Sequence, residues 1–480
     1  MSSRKVIFFE LNEVPFQIID DYCQKYPLSH LAQILPKCSQ YITYTPDTVL
    51  SPWITWSTVH RGVPATQHNI YHFGQNLTAV NQTYPPIWQI LASQGITTGV
   101  FGSLHTHPLP TNLDGYAFYI PDSFATSSEC LPKHLSAFQE FNLAMARRSS
   151  RNVSSKFPVK STLHLLMQIY NLGLRWSTFV DIARHLLIEQ LKPWRKNRRR
   201  TYQAVLSFDL FFQQLKTSRP DFATFFTNHV ASAMHRYWAA AFPSDYNNFG
   251  YSQDWITRYS KEIDFTMSKF EQFFTQLIAF VNSHPEYTLW IASSMGQKAT
   301  TAFPVQTQLH LANITKFMAS LGIPANACFQ IPAMFPEVGI TVKEPWVNQF
   351  HQQLSQLRIH EELISFTQKD RNSFALIFGQ VNLLQKGVDY AVVAGEKILL
   401  KQMGLENIRI EDETNANAYH IPEGSLIIYD PQNYQPNYQR KRISCLEIAP
   451  MILRNFTIKI PAYMKDLTNL SKTNNLTNFA

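Results

Sequence analysis

Four short segments of this sequence carry side chains able to do chemistry, and each falls at or just beyond the end of an expected β-strand. "FELNEVP" (9–15) presents Glu10, Asn12 and Glu13. "SPWITWSTVHRGVPATQHNI" (51–70) offers Ser51, Thr55 and His68. "NHVASAMHRYW" (228–238) holds His229 and His235, and "AYHIPEGSLIIY" (418–429) holds His420. Imidazole nitrogen and carboxylate oxygen are donors that zinc accepts. A serine hydroxyl is a weak nucleophile at neutral pH unless a metal or a general base activates it. A further strand end, "FGSLHTHPLP" (101–110), adds His105 and His107, which an extended chain points to the same side.

One turn has the right place and the wrong residues. "YTLWIASSMGQ" (287–297) runs from a buried strand into a small polar turn, where open α/β sheets put their ligand-binding groups. The turn holds Ser293, Ser294 and Met295, with neither carboxylate nor imidazole. Beside these segments lie Trp53, Trp56, Tyr71, His72, Tyr237 and Trp238, an aromatic set suited to core packing or to stacking on a base or sugar ring.

The elements that must position these groups follow from periodicity. "KVIFFEL" (5–11) is a continuous apolar run, the pattern of a strand buried on both faces. A helical spacing follows in "VPFQIIDDYCQKY". The next unit is a helix from about Pro86, a stop at Gly95 and a strand over 97–101. Further strands are expected over 222–226, 288–292 and 424–430, the last leading into the helix of "CLEIAPMIL". Strands alternating with amphipathic helices predict a mostly parallel sheet with helices on both faces. Residues 131–219 read as an inserted helical subdomain, with Leu163, Leu166 and Ile169 on one face. The core then comprises 1–130 and 220–465, with a second, mixed insertion over 300–417.

Bulk properties narrow the function classes. At 480 residues, 45% hydrophobic and 13% aromatic, the chain is globular rather than disordered. The five scattered cysteines include no CxxC pair, which argues against a disulfide framework or a cysteine zinc site. No signal-peptide pattern and no long apolar window is found, so a cytoplasmic location is expected. The formal charge of +8 concentrates in "KPWRKNRRR" (192–200) and "ARRSSR" (146–151). These runs suggest a solvated helix end or a surface for anions, including peripheral membrane contact. No nucleic-acid-binding motif accompanies them.

Taken in order, the landmarks resemble the alkaline phosphatase superfamily, in its nucleotide pyrophosphatase/phosphodiesterase branch. The first strand ends at Asn12-Glu13 where the family has Asp-Gly. "RGVPATQHNI" carries Gly62, Pro64, His68 and Ile70 in similar places to the segment after the family's nucleophile. His235 stands at the histidine of the family's Asp-x-x-x-His, and Ser294-Met295-Gly296 stands at its Asp-His-Gly. His420 precedes "EGSLIIY" as a metal-binding histidine does there, and "EIAPMILRNFTIKIPAYM" is similar to the closing segment. The similarity spans residues 5–464.

This resemblance implies a three-layer α/β/α sandwich and two zinc ions that activate a Ser or Thr nucleophile. The ligand set is degenerate here. Ala231 replaces the aspartate of Asp-x-x-x-His, leaving His235 and His420, with His229 as a nearby substitute. A second centre would have Asn12, Ser294 and Met295, neutral and poor ligands, unless Glu10 or Glu13 turns inward. The family nucleophile aligns with Pro52, so Ser51 is the candidate, with Thr48 and Thr55 as alternatives. Trp53, His68, His105 and His107 are candidate substrate contacts. The expectation is therefore a hydrolase or phosphoryl transferase acting on phosphoesters or phosphodiesters. It would use a single zinc or other divalent ion, and a phosphorylated small molecule, nucleotide, glycan or lipid as substrate. The alternative is a repurposed, non-catalytic binding protein.

Overall fold

The computed structural model describes residues 3–148, 161, 173–247, 249–331, 333, 337–410, 412–434 and 439–464. Leu163, Leu166, Ile169 and the end of the 146–151 basic run lie outside the described residues. The centre is an eight-stranded sheet. In chain order its strands are β1 (Lys5–Leu11), β2 (Ser39–Tyr44), β3 (Thr98–Phe101), β4 (Tyr116–Ile120), β5 (Phe222–Thr227) and β6 (Tyr287–Ala292). A two-stranded ribbon of β7 (Gly296–Ala299) and β8 (Ala418–Ile421) stands at its rim, and β9 (Glu423–Tyr429) and β10 (Lys441–Ser444) complete the sheet. The strand order is β10-β2-β9-β6-β1-β5-β3-β4. β1 pairs in parallel with both β5 and β6, while β9 runs antiparallel between β2 and β6. The sheet is therefore mostly parallel, as the alternation of strands and helices predicts.

β1 shows why the sheet has two covered faces. Ile7, Phe9 and Leu11 point into one apolar layer, while Val6 and Phe8 point into the other. The first layer is built by helices α1 (Phe16–Lys25), α4 (Arg199–Ser218), α5 (His229–Ala241) and α6 (Glu262–Ser283). There Phe208 stacks on Phe273 with ring centroids 4.3 Å apart, and Phe211 lies against Phe225 at 4.8 Å. The second layer includes α2 (Pro52–Arg61) and α7 (Ile448–Asn455). Gly62 ends α2 in the left-handed conformation and sits against Met464, so two sequence landmarks meet. The result is a three-layer α/β/α sandwich.

One charged residue interrupts the β1 run. Glu10 is fully buried, and such a group must be paired to be tolerated. Its carboxylate meets His60 Nε2 at 2.9 Å and accepts from the Ser103 hydroxyl at 3.1 Å. It is thus committed inside the second layer.

Helices described between 131 and 219 lie over the sheet, with Phe138 and Phe208 in the same core as β1. Residues 309–405 gather a separate apolar cluster around Phe317, Ile340, Phe350 and Phe374. Three arginines of the basic run are engaged within the protein, while Lys192 is exposed. Arg198 forks onto Glu262 at 2.8 and 2.7 Å, Arg199 pairs with Glu189 of α3 (Trp176–Leu191), and Arg200 donates to Ser232 at 3.1 Å. These charges are spent joining α3, α4, α5 and α6, because helices packed this closely can bury a guanidinium only against an acceptor. All five cysteines are free thiols. No helix among the described residues is long and apolar enough to cross a membrane.

Candidate functional site

Because β1, β5 and β6 are parallel, their carboxyl ends share one edge, and the loops that leave them converge there. The loop after β1 makes the decisive contribution. Glu13 adopts φ +60°, a left-handed conformation that costs a non-glycine residue on the order of 1 kcal/mol. The turn is held from below by Ser293, whose hydroxyl accepts from Val14 N at 3.1 Å and contacts Leu11 O and Val14 O. This is one use of the turn after β6: it supports the neighbouring loop.

Held in this way, the Glu13 carboxylate faces two histidines. Its Oε2 lies 2.9 Å from His235 Nε2 and 3.3 Å from His420 Nε2, and the two imidazole rings are 5.2 Å apart. His235 comes from α5. His420 comes from β8, which pairs with β7 so that His420 stands opposite Gln297. The Gln297 amide also donates to Glu13 Oε2. The ribbon needs Gly296 at its base, where a Cβ would come within 2.2 Å of the Glu423 carbonyl oxygen. Each histidine donates its other nitrogen to a backbone carbonyl. His235 Nδ1 is 2.7 Å from Ala418 O, and His420 Nδ1 is 2.8 Å from Leu50 O. Ring orientation is thereby settled, and both Nε2 atoms are directed at one point.

Among the described residues, Glu13, His235 and His420 form the one group of three able to ligate a metal, with donor atoms within 4.8 Å of one another. Glu13 is 2% exposed and His420 8%, but His235 is 25% exposed, so the group opens to solvent at its α5 side. A carboxylate and two imidazoles make the His₂Glu set used by some catalytic zinc centres. Gln297 Oε1, buried beside the group, has no hydrogen-bond partner. The donor chemistry fits a divalent cation.

Without a cation, the group behaves as an ion cluster. Burial alone would raise the Glu13 pKa, but attraction by His420 and His235 and their hydrogen bonds hold it well below 4.5. Burial works against charge on His420 too, yet the Glu13 charge and hydrogen bond raise its pKa above 6.5. A lowered Glu13 pKa contributes stability that is present above pH 4.5 and lost as pH falls through the folded value. A raised His420 pKa contributes stability that is present below pH 6.5 and lost as pH rises through the folded value. In chelator, the midpoint of thermal unfolding is therefore expected to be highest between about pH 4.5 and 6.5. His420→Gln should flatten the decline on the alkaline side; an unchanged alkaline slope in that variant would refute the assignment.

The remaining candidates fall in different places. Asn12 is buried and adjoins the group, but its side-chain oxygen accepts from Trp56 Nε1 at 2.7 Å. His229 lies apart: its Nδ1 bonds the Thr227 hydroxyl at 2.7 Å, its ring packs on Phe273, and burial lowers its pKa to about 3. Ser51 is half-buried at the start of α2, adjacent to the carbonyl that holds His420, and its side chain makes no capping bond. Thr55 is fully buried and bonded to Ser294 at 2.8 Å, whereas Thr48 is exposed.

The candidate substrate contacts cluster along α2. Trp53 packs against His105, Phe73 and Phe124, with centroids at 4.1, 4.5 and 5.5 Å. His105 is buried beneath it and bonded to Ser57. His107 is half-buried and meets Thr126 at 2.8 Å. The two histidines do not act as an alternating pair, because His105 has φ +67° and breaks the extended run. His68 accepts from Ile70 N at 3.0 Å and meets Thr58 at 3.1 Å, and its pKa falls to about 3 through burial and the nearby Arg61 charge. It closes a turn inside the protein.

From the sequence, Glu13 enters only as one of two glutamates that would have to turn inward, with Glu10 as the other, and Gln297 does not stand out. For Glu13 the usable signal was a glutamate at the position of a family glycine. A left-handed turn there sends the side chain into the site. For Gln297 no local signal exists.

No family model matches the chain, and no curated protein matches it. Solved structures do. The chain is similar to murine ectonucleotide pyrophosphatase/phosphodiesterase 5 at 10% identity and a TM-score of 0.45, covering 98% of this chain and 99% of that one. It is also similar to phosphonoacetate hydrolase from Sinorhizobium meliloti 1021, in complex with phosphonoformate, at 11% identity and a TM-score of 0.42, covering 95% and 96%. A variant of the alkaline phosphatase PafA gives 11% identity and a TM-score of 0.45, covering 97% and 98%. At these values the likeness describes the course of the chain and bears no weight on its chemistry. Over nearly its whole length, the protein is similar to solved structures named as alkaline phosphatases and nucleotide pyrophosphatase/phosphodiesterases, the group that its sequence motifs resemble.

Proposed function

We propose that the protein is a phosphoester or phosphodiester hydrolase, or a phosphoryl transferase, with a single divalent cation held by Glu13, His235 and His420. The observation that carries this reading is the convergence of three donor atoms from three separate elements, the turn after β1, helix α5 and strand β8, with both imidazoles anchored through Nδ1. The order of the sequence motifs supports the phosphoester class. A divalent cation, when bound, polarises a phosphoryl oxygen and offsets negative charge. The chain's own residues do the rest. Ser51 is the candidate nucleophile, presented at the start of α2 one residue from the loop carbonyl that orients His420. Tyr419, 54% exposed and 4.3 Å from His420, stands beside the group as a surface for a substrate's apolar part. Substrates of this class are phosphorylated small molecules, including nucleotides and phosphorylated glycans or lipids. The helical stretch over 131–219 and the mixed stretch over 300–417 are proposed insertions in the core.

The test combines metal analysis with turnover. The purified protein should hold about one zinc or manganese per chain and hydrolyse p-nitrophenyl phosphate or its diester when supplied with that metal. Ser51→Ala should reduce turnover by roughly 100-fold or more if an intermediate forms on the serine. Full activity in that variant would assign the attack to water.

A second reading has an observation of its own. Glu13 Oε2 already lies against both histidines and accepts from Gln297, so the group can close as an internal ion cluster. On that reading the protein is a repurposed member that binds a ligand or partner in the same cleft. Absence of metal, together with absence of turnover under metal supplementation, would select it.

A further inference from the structure

We infer that Trp56 and Asn12 fill the place where a second cation would bind, and that they act as positioning residues for Glu13, so that this chain takes one cation rather than two. The inference rests on the reading of Glu13, His235 and His420 as a cation centre. Its basis is the hydrogen-bond pattern of a side chain that a metal would otherwise use. Asn12 is 1% exposed, and three of its four hydrogen-bonding positions are taken, both N–H donors and one lone pair of the oxygen. Its Oδ1 accepts from Trp56 Nε1 at 2.7 Å, and its Nδ2 donates to Glu13 Oε1 at 2.8 Å and to Asn228 Oδ1 at 2.7 Å.

The indole settles which way the amide faces. Trp Nε1–H can only donate, so the atom it meets must be the amide oxygen. The NH₂ group is then obliged to face Glu13. Trp56 is itself fully buried and held from its other side, stacked on His60 at 5.4 Å, while His60 is paired with Glu10. A line of contacts thus runs from the buried Glu10–His60 pair through Trp56 and Asn12 to the carboxylate of the site.

The rest of the second position is closed in the same neutral manner. Ser294 and Thr55 share a hydroxyl hydrogen bond at 2.8 Å, and Met295 is fully buried. An amide, two hydroxyls and a thioether offer a hard dication no negative charge. The pair of zinc ions that the sequence motifs imply does not fit these residues.

Manganese alone, titrated calorimetrically into metal-stripped full-length protein, tests the inference, together with hydrogen exchange of the Trp56 indole in the metal-free state. The wild type should take up about one manganese per chain. Trp56→Phe and Asn12→Leu should each weaken it by roughly 10- to 100-fold, as loss of a ligand's supporting hydrogen bond does. Asn12→Asp, which keeps an acceptor for the indole, should also weaken binding without adding a second cation. The indole N–H should be protected in the wild type and lose protection in Asn12→Leu. Two cations in the wild type or in Asn12→Asp would overturn the inference, as would unchanged affinity in both Trp56→Phe and Asn12→Leu. No manganese uptake by the wild type would overturn the cation centre itself and this inference with it. Normal uptake with unmoved variants overturns the inference alone.

Discussion

Glu13→Gln protein is expected to lose cation binding by more than about 100-fold while keeping its fold. The substitution preserves the volume of the side chain and the acceptor for Asn12. What it removes is the negative charge, the one anionic donor in the group with His235 and His420. Two neutral imidazoles and an amide attract a hard dication poorly. The same change deprives His420 of the charge that raises its pKa, so less protonated imidazole remains to compete for the site at neutral pH. Any gain from that is small beside the lost ligand. His235→Ala and His420→Ala should likewise remove most bound metal and most activity. Calorimetry with zinc or manganese and circular dichroism on the same samples check the expectation. A folded Glu13→Gln protein with wild-type affinity would remove Glu13 from the site.

The second large effect concerns stability, and it originates one residue from the site. Arg236, which follows His235 on α5, is 8% exposed and donates to Asp412 at 2.6 Å. Asp412 also accepts from the Tyr237 hydroxyl at 2.8 Å, and its backbone carbonyl accepts from Trp255 Nε1 at 3.0 Å. These bonds tie the chain just before β8 to the helix that bears His235. Asp412→Ala removes a carboxylate facing a buried guanidinium, a change that costs about 3–5 kcal/mol in buried pairs. Asp412→Asn retains shape and some hydrogen bonding and should cost less. Denaturant unfolding measures both. Because α5 and β8 each supply a histidine, Asp412→Ala should weaken cation binding as well. A stability loss below about 1 kcal/mol would show that the pair contributes little net energy.

The elements of the fold were legible because their signals are local. β1, β5 and β6 are predominantly apolar, β-favouring runs, β1 being interrupted by a charge only at Glu10, and a strand buried on both faces permits little else. The antiparallel direction of β9 was not legible, since "GSLIIY" reads the same whichever way its neighbours run. Nor was the inward use of the basic run. Arg198 and Arg199 look like surface charge until Glu262 and Glu189 are brought to them by helix packing.

The candidate site divides along the same line. His235 and His420 could be picked out from residue type and motif order. Glu13 could be named only beside Glu10 as a carboxylate able to turn inward, and the choice between them depends on a backbone angle of +60° and on Ser293 holding the turn from another strand. His229 shows the converse: an imidazole near the right loop, turned by the first turn of α5 onto Phe273. By itself, then, the sequence determined the layers, the order of the strands along the chain and the types of donor available at their ends. Only the tertiary structure decided which donors meet. Strand periodicity is a property of adjacent residues, whereas ligation requires side chains more than 180 residues apart to arrive within a bond length or two, and that depends on every packing contact between them.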